Sequence, residues 1–279
     1  MVKIKNLMFQ YDKQPLFKNL NLTIEKGNIY GLLGLNGAGK TTLLKLLTGQ
    51  IFPKQGSIEI GKEDPSKRSA SLLSNIFYVS EELYLPSLRI DEFISLYAPF
   101  YPLFNKEEMM SYLHEFQLNE KSSLNKLSFG QKRKFLLSFA LATNTPLVIF
   151  DEPTNGLDIP SKSQFRKIVA SAMSDNRTFI ISTHQVRDMD QLIDPIIIVH
   201  NNRVVLNSTL MEINSSYTIK RSATPPLGAM YSEKNALGYI YLTKREAEDE
   251  DVAIDIEFLF NAVITQPELF SSLSQGGSL

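Results

Sequence analysis

Side chains able to do chemistry gather at four places in this 279-residue chain: residues 34–42, 128–131, 151–152 and 184. The first reads GLNGAGKTT, in which Gly34, Gly39, Lys40 and Thr41 fit G-x-x-x-x-G-K-[ST], a loop that cradles phosphate. Gly34, Gly37 and Gly39 let the backbone curl with its amides inward. A helix starting near Gly39 adds the positive end of its dipole, Lys40 can reach the outer phosphates, and the Thr41 hydroxyl can ligate Mg²⁺. A plain glycine turn between strand and helix needs no lysine at the helix start, so the residues favour a phosphate ligand.

Asp151 and Glu152 follow the apolar run Leu147-Val148-Ile149-Phe150. Two carboxylates at the C-terminal end of a buried parallel strand stand where ligands of α/β sheets bind. Burying them unpaired is costly, so a metal or a reacting water is the expected neighbour. His184 follows the apolar strand of residues 178–183 in the same way, which would set it beside Asp151 at one sheet edge. His114 and His200 lack such a setting and read as structural or solvated. Ser128 and Gly130 precede a largely apolar helix over residues 135–142, either a capped buried helix or a helix start prepared for an anion. Tyr11, closing the first strand, can stack on a base or serve as ordinary strand packing.

These groups need elements to hold them. Alternation predicts antiparallel strands over residues 2–4 and 20–24 with a turn near 11–14, and Ile29-Tyr30-Gly31-Leu32-Leu33 leads into the glycine loop. A short strand at 57–60, polar loop and short helix over 61–75, and a buried strand at 76–79 follow. Residues 90–119 turn helical and aromatic, broken by Pro99 and Pro102; the cluster of Phe93, Tyr97, Phe100, Tyr101, Phe104, Tyr112 and Phe116 is either core or a partner groove. A helix is expected over 161–174, then strands at 178–183, 195–199 and 203–206. Composition is that of a globular domain, 43% hydrophobic and 21% charged. A net charge of −1 gives no footprint for nucleic acid. Absence of cysteine excludes disulfides and thiolate chemistry. The longest uncharged run, residues 135–150, is too short and too polar for a membrane span, and residues 1–11 lack a signal-peptide core.

With GLNGAGKT, LSFGQ, LVIFDEPTNGLD and STH in this order, the sequence resembles the nucleotide-binding subunit of ATP-binding cassette (ABC) transporters over residues 1 to about 210. The resemblance implies a P-loop ABC cassette of α/β class. Its mainly parallel core sheet would carry an N-terminal antiparallel β subdomain and a helical signature subdomain at about 83–143. It implies that Tyr11 stacks on adenine, that Gly34, Asn36, Gly37, Ala38, Gly39, Lys40, Thr41 and Thr42 hold the phosphates, and that Thr41 and Asp151 hold Mg²⁺. Glu152 would polarise the attacking water and His184 would contact the γ-phosphate. Ser128, Gly130 and Gln131 would contact the nucleotide of a second subunit in a head-to-tail dimer, with Gly156, Leu157 and Asp158 at that interface. Partners would be ATP and separate transmembrane permease subunits, no nucleic acid being expected, and the location the cytoplasmic face of the cell membrane. The implied function is ATP hydrolysis driving transport, in the direction of export. A soluble cassette ATPase acting on nucleic acid or ribosomes is the alternative; it would require a basic surface, a coiled-coil insertion or a second cassette, and one P-loop stands here.

Two positions depart from the family pattern. Glu81 stands where the family has a glutamine near Mg²⁺ and water, and is expected to reach the metal only when nucleotide is bound. Phe129 stands where glycine is commonest. Residues 211–279 fall beyond the motifs and read as a small α+β appendage, regulatory or dimer-stabilising. Strands are expected near 217–220 and 236–242, and an apolar helical face on Ile256, Phe258, Leu259, Phe260, Val263 and Ile264. The acids Glu246, Glu248, Asp249, Glu250 and Asp251 read as a solvated loop rather than a docking patch, and residues 271–279 as a frayed tail.

Overall fold

A computed structural model describes residues 1–249 and 252–273; Glu250 and Asp251 of the acidic run and residues 274–279 of the tail lie outside the described residues. The chain begins with β1 (Val2–Tyr11), β2 (Gln14–Ile24), β3 (Ile29–Leu33), α1 (Lys40–Leu47), β4 (Gln55–Ile60), α2 (Ala70–Leu73) and β5 (Ile76–Val79). A helical stretch follows, α3 (Ile90–Tyr97), α4 (Lys106–Glu115) and α5 (Phe129–Ala142). Next come β6 (Leu147–Asp151), α6 (Ile159–Ser171), β7 (Thr178–Thr183), β8 (Ile196–His200), β9 (Arg203–Ser208) and α7 (Leu210–Ser216). The last elements are β10 (Tyr217–Ser222), β11 (Tyr231–Asn235), β12 (Gly238–Lys244) and α8 (Ile256–Thr265).

The central sheet has the order β5-β6-β7-β3-β8-β9, parallel except for β9. Its inner strands are buried and largely apolar because both faces are covered. Leu32, Ile149, Ile180 and Ile197 point to a cluster shared with Leu43, Leu44 and Leu47 of α1 and with the antiparallel sheet β2-β1-β4. Val148, Phe150, Phe179 and Ile198 point to the opposite cluster with Phe139 of α5, Phe165 of α6 and Leu259 of α8. The period-2 alternation of side chains divides each strand between the two layers.

The aromatic segment is partly core. Phe93 is buried and packs edge-on against Phe135 and Phe139, at 5.1 and 5.2 Å between ring centres. Phe116 is also buried, whereas Leu96, Phe100 and Leu103 face solvent.

Several boundaries differ from the sequence pattern. α5 starts at Phe129, six residues before its apolar stretch, because Ser128 and Gln131 form a reciprocal capping box that carries the charged turn Lys132-Arg133-Lys134 into the helix. α6 runs from Ile159 to Ser171 because the Asp158 carboxylate accepts from the Ser161 amide and Pro160 is tolerated in a first turn. In the appendage, Ala236 and Leu237 turn between strands instead of extending one. β11, Tyr-Ser-Glu-Lys-Asn, had no hydrophobic signal because it is an outer strand of the sheet β10-β12-β11 with little buried surface. α8 packs its apolar face on β8 and on the 3-10 turn Val186–Asp188, so one apolar cluster runs from the central sheet into the appendage.

Leu259 is fully buried at that junction. Leu259→Ala is expected to lower the unfolding free energy by about 2–5 kcal/mol, measured by urea denaturation; a loss below about 1 kcal/mol would mean that α8 contributes little to the fold.

Candidate functional site

The C-terminal ends of β3, β6 and β7 converge because these strands are neighbours: Asp151 pairs with Ser182, and Leu33 with Thr183. The loop after β3 curls over this edge. Gly39 has φ +99° and caps α1 from the left-handed region, where a side chain is strained. Gly34 is required by crowding, since a Cβ there would lie 2.8 Å from the Val199 carbonyl oxygen. Lys40 is buried; its Nζ donates to the Gly34 carbonyl at 2.8 Å and stands 3.8 Å from Glu152 Oε1. Burial pulls the Lys40 pKa below its usual value, and the negative charges of Glu152, Asp151 and Glu81 oppose that fall.

Asp151 is buried behind the cleft. Its carboxylate accepts from Ser182 Oγ and, at 3.2 Å, from the Tyr78 hydroxyl. Burial and then the Asp151 charge push the Tyr78 phenol far above its usual pKa, so it stays a donor. Glu152 turns sharply out of β6 with φ +48°, and its amide donates to the Ser182 carbonyl at 3.1 Å. Its Oε1 lies 2.8 Å from His184 Nδ1, which leaves Nε2, 3.5 Å from Gln185 Nε2, as the ring nitrogen toward the opening. Glu81 is exposed and its Oε1 accepts from Asn155 Nδ2 at 3.0 Å.

A cleft of about 580 Å³ joins these groups. Tyr11, Leu16, residues 35–42, Glu81, Glu152 and His184 line it. Tyr11 is half exposed; its ring meets Phe9 edge-on and its hydroxyl lies 3.4 Å from Thr42 Oγ1. The structure therefore brings together Tyr11, Asn36, Gly37, Ala38, Gly39, Lys40, Thr41, Thr42, Glu81, Glu152 and His184, with Gly34 and Asp151 just behind. Ser128, Gly130 and Gln131 do not line it; the side chains of Ser128 and Gln131 cap α5.

Sequence reasoning missed Tyr78, Ser182, Asn155 and Leu16. Tyr78 and Ser182 carried a faint signal, being polar near the C-terminal ends of buried strands. The oxygen donors around the cleft, the Thr41 hydroxyl with Asp151 and Glu81, are of the kind that a hard cation such as Mg²⁺ takes.

Residues 17–155 match the family model described as ABC transporter. The lantibiotic transport ATP-binding protein SrtF of Streptococcus pyogenes is 30% identical over 217 residues, covering 74% of this chain and 90% of the relative. The chain belongs to the ABC transporter family. Among solved structures, an ATP-binding subunit of an ABC transporter superposes with a TM-score of 0.71 at 28% identity, covering 77% of this chain and 92% of the other. A dimeric cassette in a post-hydrolysis state with ADP and Pi shares the fold, with a TM-score of 0.64 at 24% identity over 75% of this chain and 99% of the other. The cassette is an ATP-hydrolysing subunit that couples ATP to transport.

The buried Asp151 carboxylate depends on Ser182 for one of its donors. Ser182→Ala is expected to destabilise the cassette by about 1–3 kcal/mol, the cost of leaving a buried acceptor unpaired. Chemical denaturation monitored by circular dichroism measures it, and a change under about 0.5 kcal/mol would remove Ser182 from this supporting role.

Proposed function

We propose that the cleft binds Mg²⁺-ATP and that hydrolysis there powers export through separate transmembrane subunits. The observation that carries this reading is the shared lining of the cleft by the glycine loop, Glu152 and His184. Tyr11 stacks on adenine, and the amides of residues 34–42 with Lys40 bind the phosphates, Gly34 fixing the shape of the loop. Thr41 and Asp151 would hold Mg²⁺, and Glu81, bound to Asn155 in the structure, would join them when nucleotide is present. When bound, Mg²⁺ neutralises charge on the outer phosphates. Glu152 orients a water and takes its proton as the water oxygen attacks the γ-phosphorus; the bond to the β–γ bridging oxygen breaks and ADP leaves. His184 braces Glu152 through Nδ1 and turns Nε2 to the γ-phosphoryl group.

Lys40 offsets one of ATP's roughly four negative charges, so further donors are required. We assign them to Ser128, Gly130 and Gln131 of a second copy, or of a related cassette, in a head-to-tail dimer. The position of these residues outside the cleft of their own chain supports that assignment. Residues 1–210 form the ATPase domain, with the helical subdomain at about 83–143 and the appendage at 211–279.

No helix among the described residues is long and apolar enough to cross a membrane. The permease seat is assigned to the helical subdomain, where exposed Leu96, Phe100 and Leu103 stand near a cleft of about 370 Å³ bordered by Ile94, Tyr101, Phe104 and Met110. The location is then the cytoplasmic face of the membrane, held through the permease. The transport of a lantibiotic named for the relative supports a peptide or other amphipathic cargo. A nucleic-acid role draws no support from a net charge of −1.

Glu152→Gln is expected to retain ATP binding while turnover falls by about 10²–10⁴-fold, with ATP-bound dimers accumulating in size-exclusion chromatography. Hydrolysis within about twofold of the parent would remove Glu152 from the role of base. Phe100→Glu, on the exposed helical face, is expected to keep the ATPase activity of the free subunit and to abolish co-purification with a membrane fraction. Unchanged membrane recovery would move the permease seat elsewhere.

A further inference from the structure

Arg133, in the second turn of α5, is fully buried and belongs to no ion pair among the described residues. Its guanidinium donates from Nη1 to the Ser80 carbonyl at 3.0 Å and from Nη2 to the Glu81 carbonyl at 2.7 Å. The flat face lies 5.3 Å from the centre of the Phe129 ring, and Nε is buried without a partner in the structure. Phe129 in turn covers Gly156, where an added Cβ would lie 2.5 Å from Phe129 Cδ1. The neighbouring Asn155 holds the Glu81 carboxylate. Three segments thus meet around one side chain: the turn after β5, the start of α5, and the loop after β6.

Packing alone would be met by methionine or leucine, since a buried guanidinium is costly unless its donors are matched. Arginine adds a rigid planar fork, and here two of its donors fit two successive peptide carbonyls. Burial draws its pKa down, and the negative charges of Glu81, Asp151 and Glu152 oppose that fall. We infer that Arg133 is a positioning residue that ties residues 128–131 to the Glu81 peptide, with Phe129 as its seat. The stance of the segment assigned to a second nucleotide and the reach of the Glu81 carboxylate then change together. This inference rests on the roles proposed above for Glu81 and residues 128–131.

The test compares the full chain with Arg133→Met, which keeps the bulk, and Arg133→Lys, which keeps the charge without the fork. Affinity for a fluorescent ATP analogue, kcat, KM, thermal midpoint and hydrogen exchange of residues 79–83 are measured on each. For Arg133→Met the expected result is analogue affinity within about threefold, kcat lowered at least about tenfold, and faster exchange in residues 79–83, with Arg133→Lys in between. The inference is overturned if kcat per nucleotide-binding site stays within about twofold, or if exchange is unchanged, whatever happens to the thermal midpoint. Should Arg133→Met fail to fold, Phe129→Gly and Arg133→Lys are combined: non-additive losses of kcat support the tie, and additive losses refute it. Failure of the parent chain to bind the analogue would strike at the cleft assignment instead, and is read separately.

Discussion

The pairing of β6 with β7 is the constraint on which the site depends. Parallel register sets Asp151 opposite Ser182, and the turns that follow bring Glu152 Oε1 to 2.8 Å from His184 Nδ1. With β3 on the far side of β7, the glycine loop opens onto the same edge. A slip of one residue in either strand would point its alternating side chains to the wrong layer. The two apolar clusters that clamp the sheet therefore also hold the register of the polar groups.

Charge is the second organising element. Asp151, Glu152 and Glu81 stand around a single ammonium, Lys40, whose pKa burial lowers while their negative charges oppose that fall. Hydroxyls of Ser182 and Tyr78 carry part of the load by donating to Asp151, so the buried carboxylate is satisfied within the protein. A cleft with surplus negative charge suits a ligand that brings its own cation, as the Mg²⁺-ATP proposed for it would.

The two departures from the family pattern meet in space although they lie far apart in sequence. Glu81 is held by Asn155, and Phe129 covers Gly156, the next residue. Arg133 joins both by its hydrogen bonds to the Ser80 and Glu81 carbonyls and its contact with Phe129. A bulky residue at 129 is thus accommodated by a local arrangement of this chain.

The sequence by itself determined the α/β class, the strand ends that carry Asp151, Glu152 and His184, and the phosphate loop. Each of these rests on local physics: strands buried on both faces must be apolar, and a loop that wraps an anion requires glycine and lysine at fixed spacing. Hydrophobic periodicity could not find β11, because an outer strand with little buried surface carries no pattern, nor the true start of α5, because side-chain capping set it. Only the tertiary structure decided that Tyr78 and Ser182 serve Asp151, that Asn155 holds Glu81, and that Arg133 clasps the turn after β5. Those contacts join residues 31 to 74 positions apart. Whether a buried donor has an acceptor depends on what the folded sheet places beside it, and spacing along the chain holds no record of that.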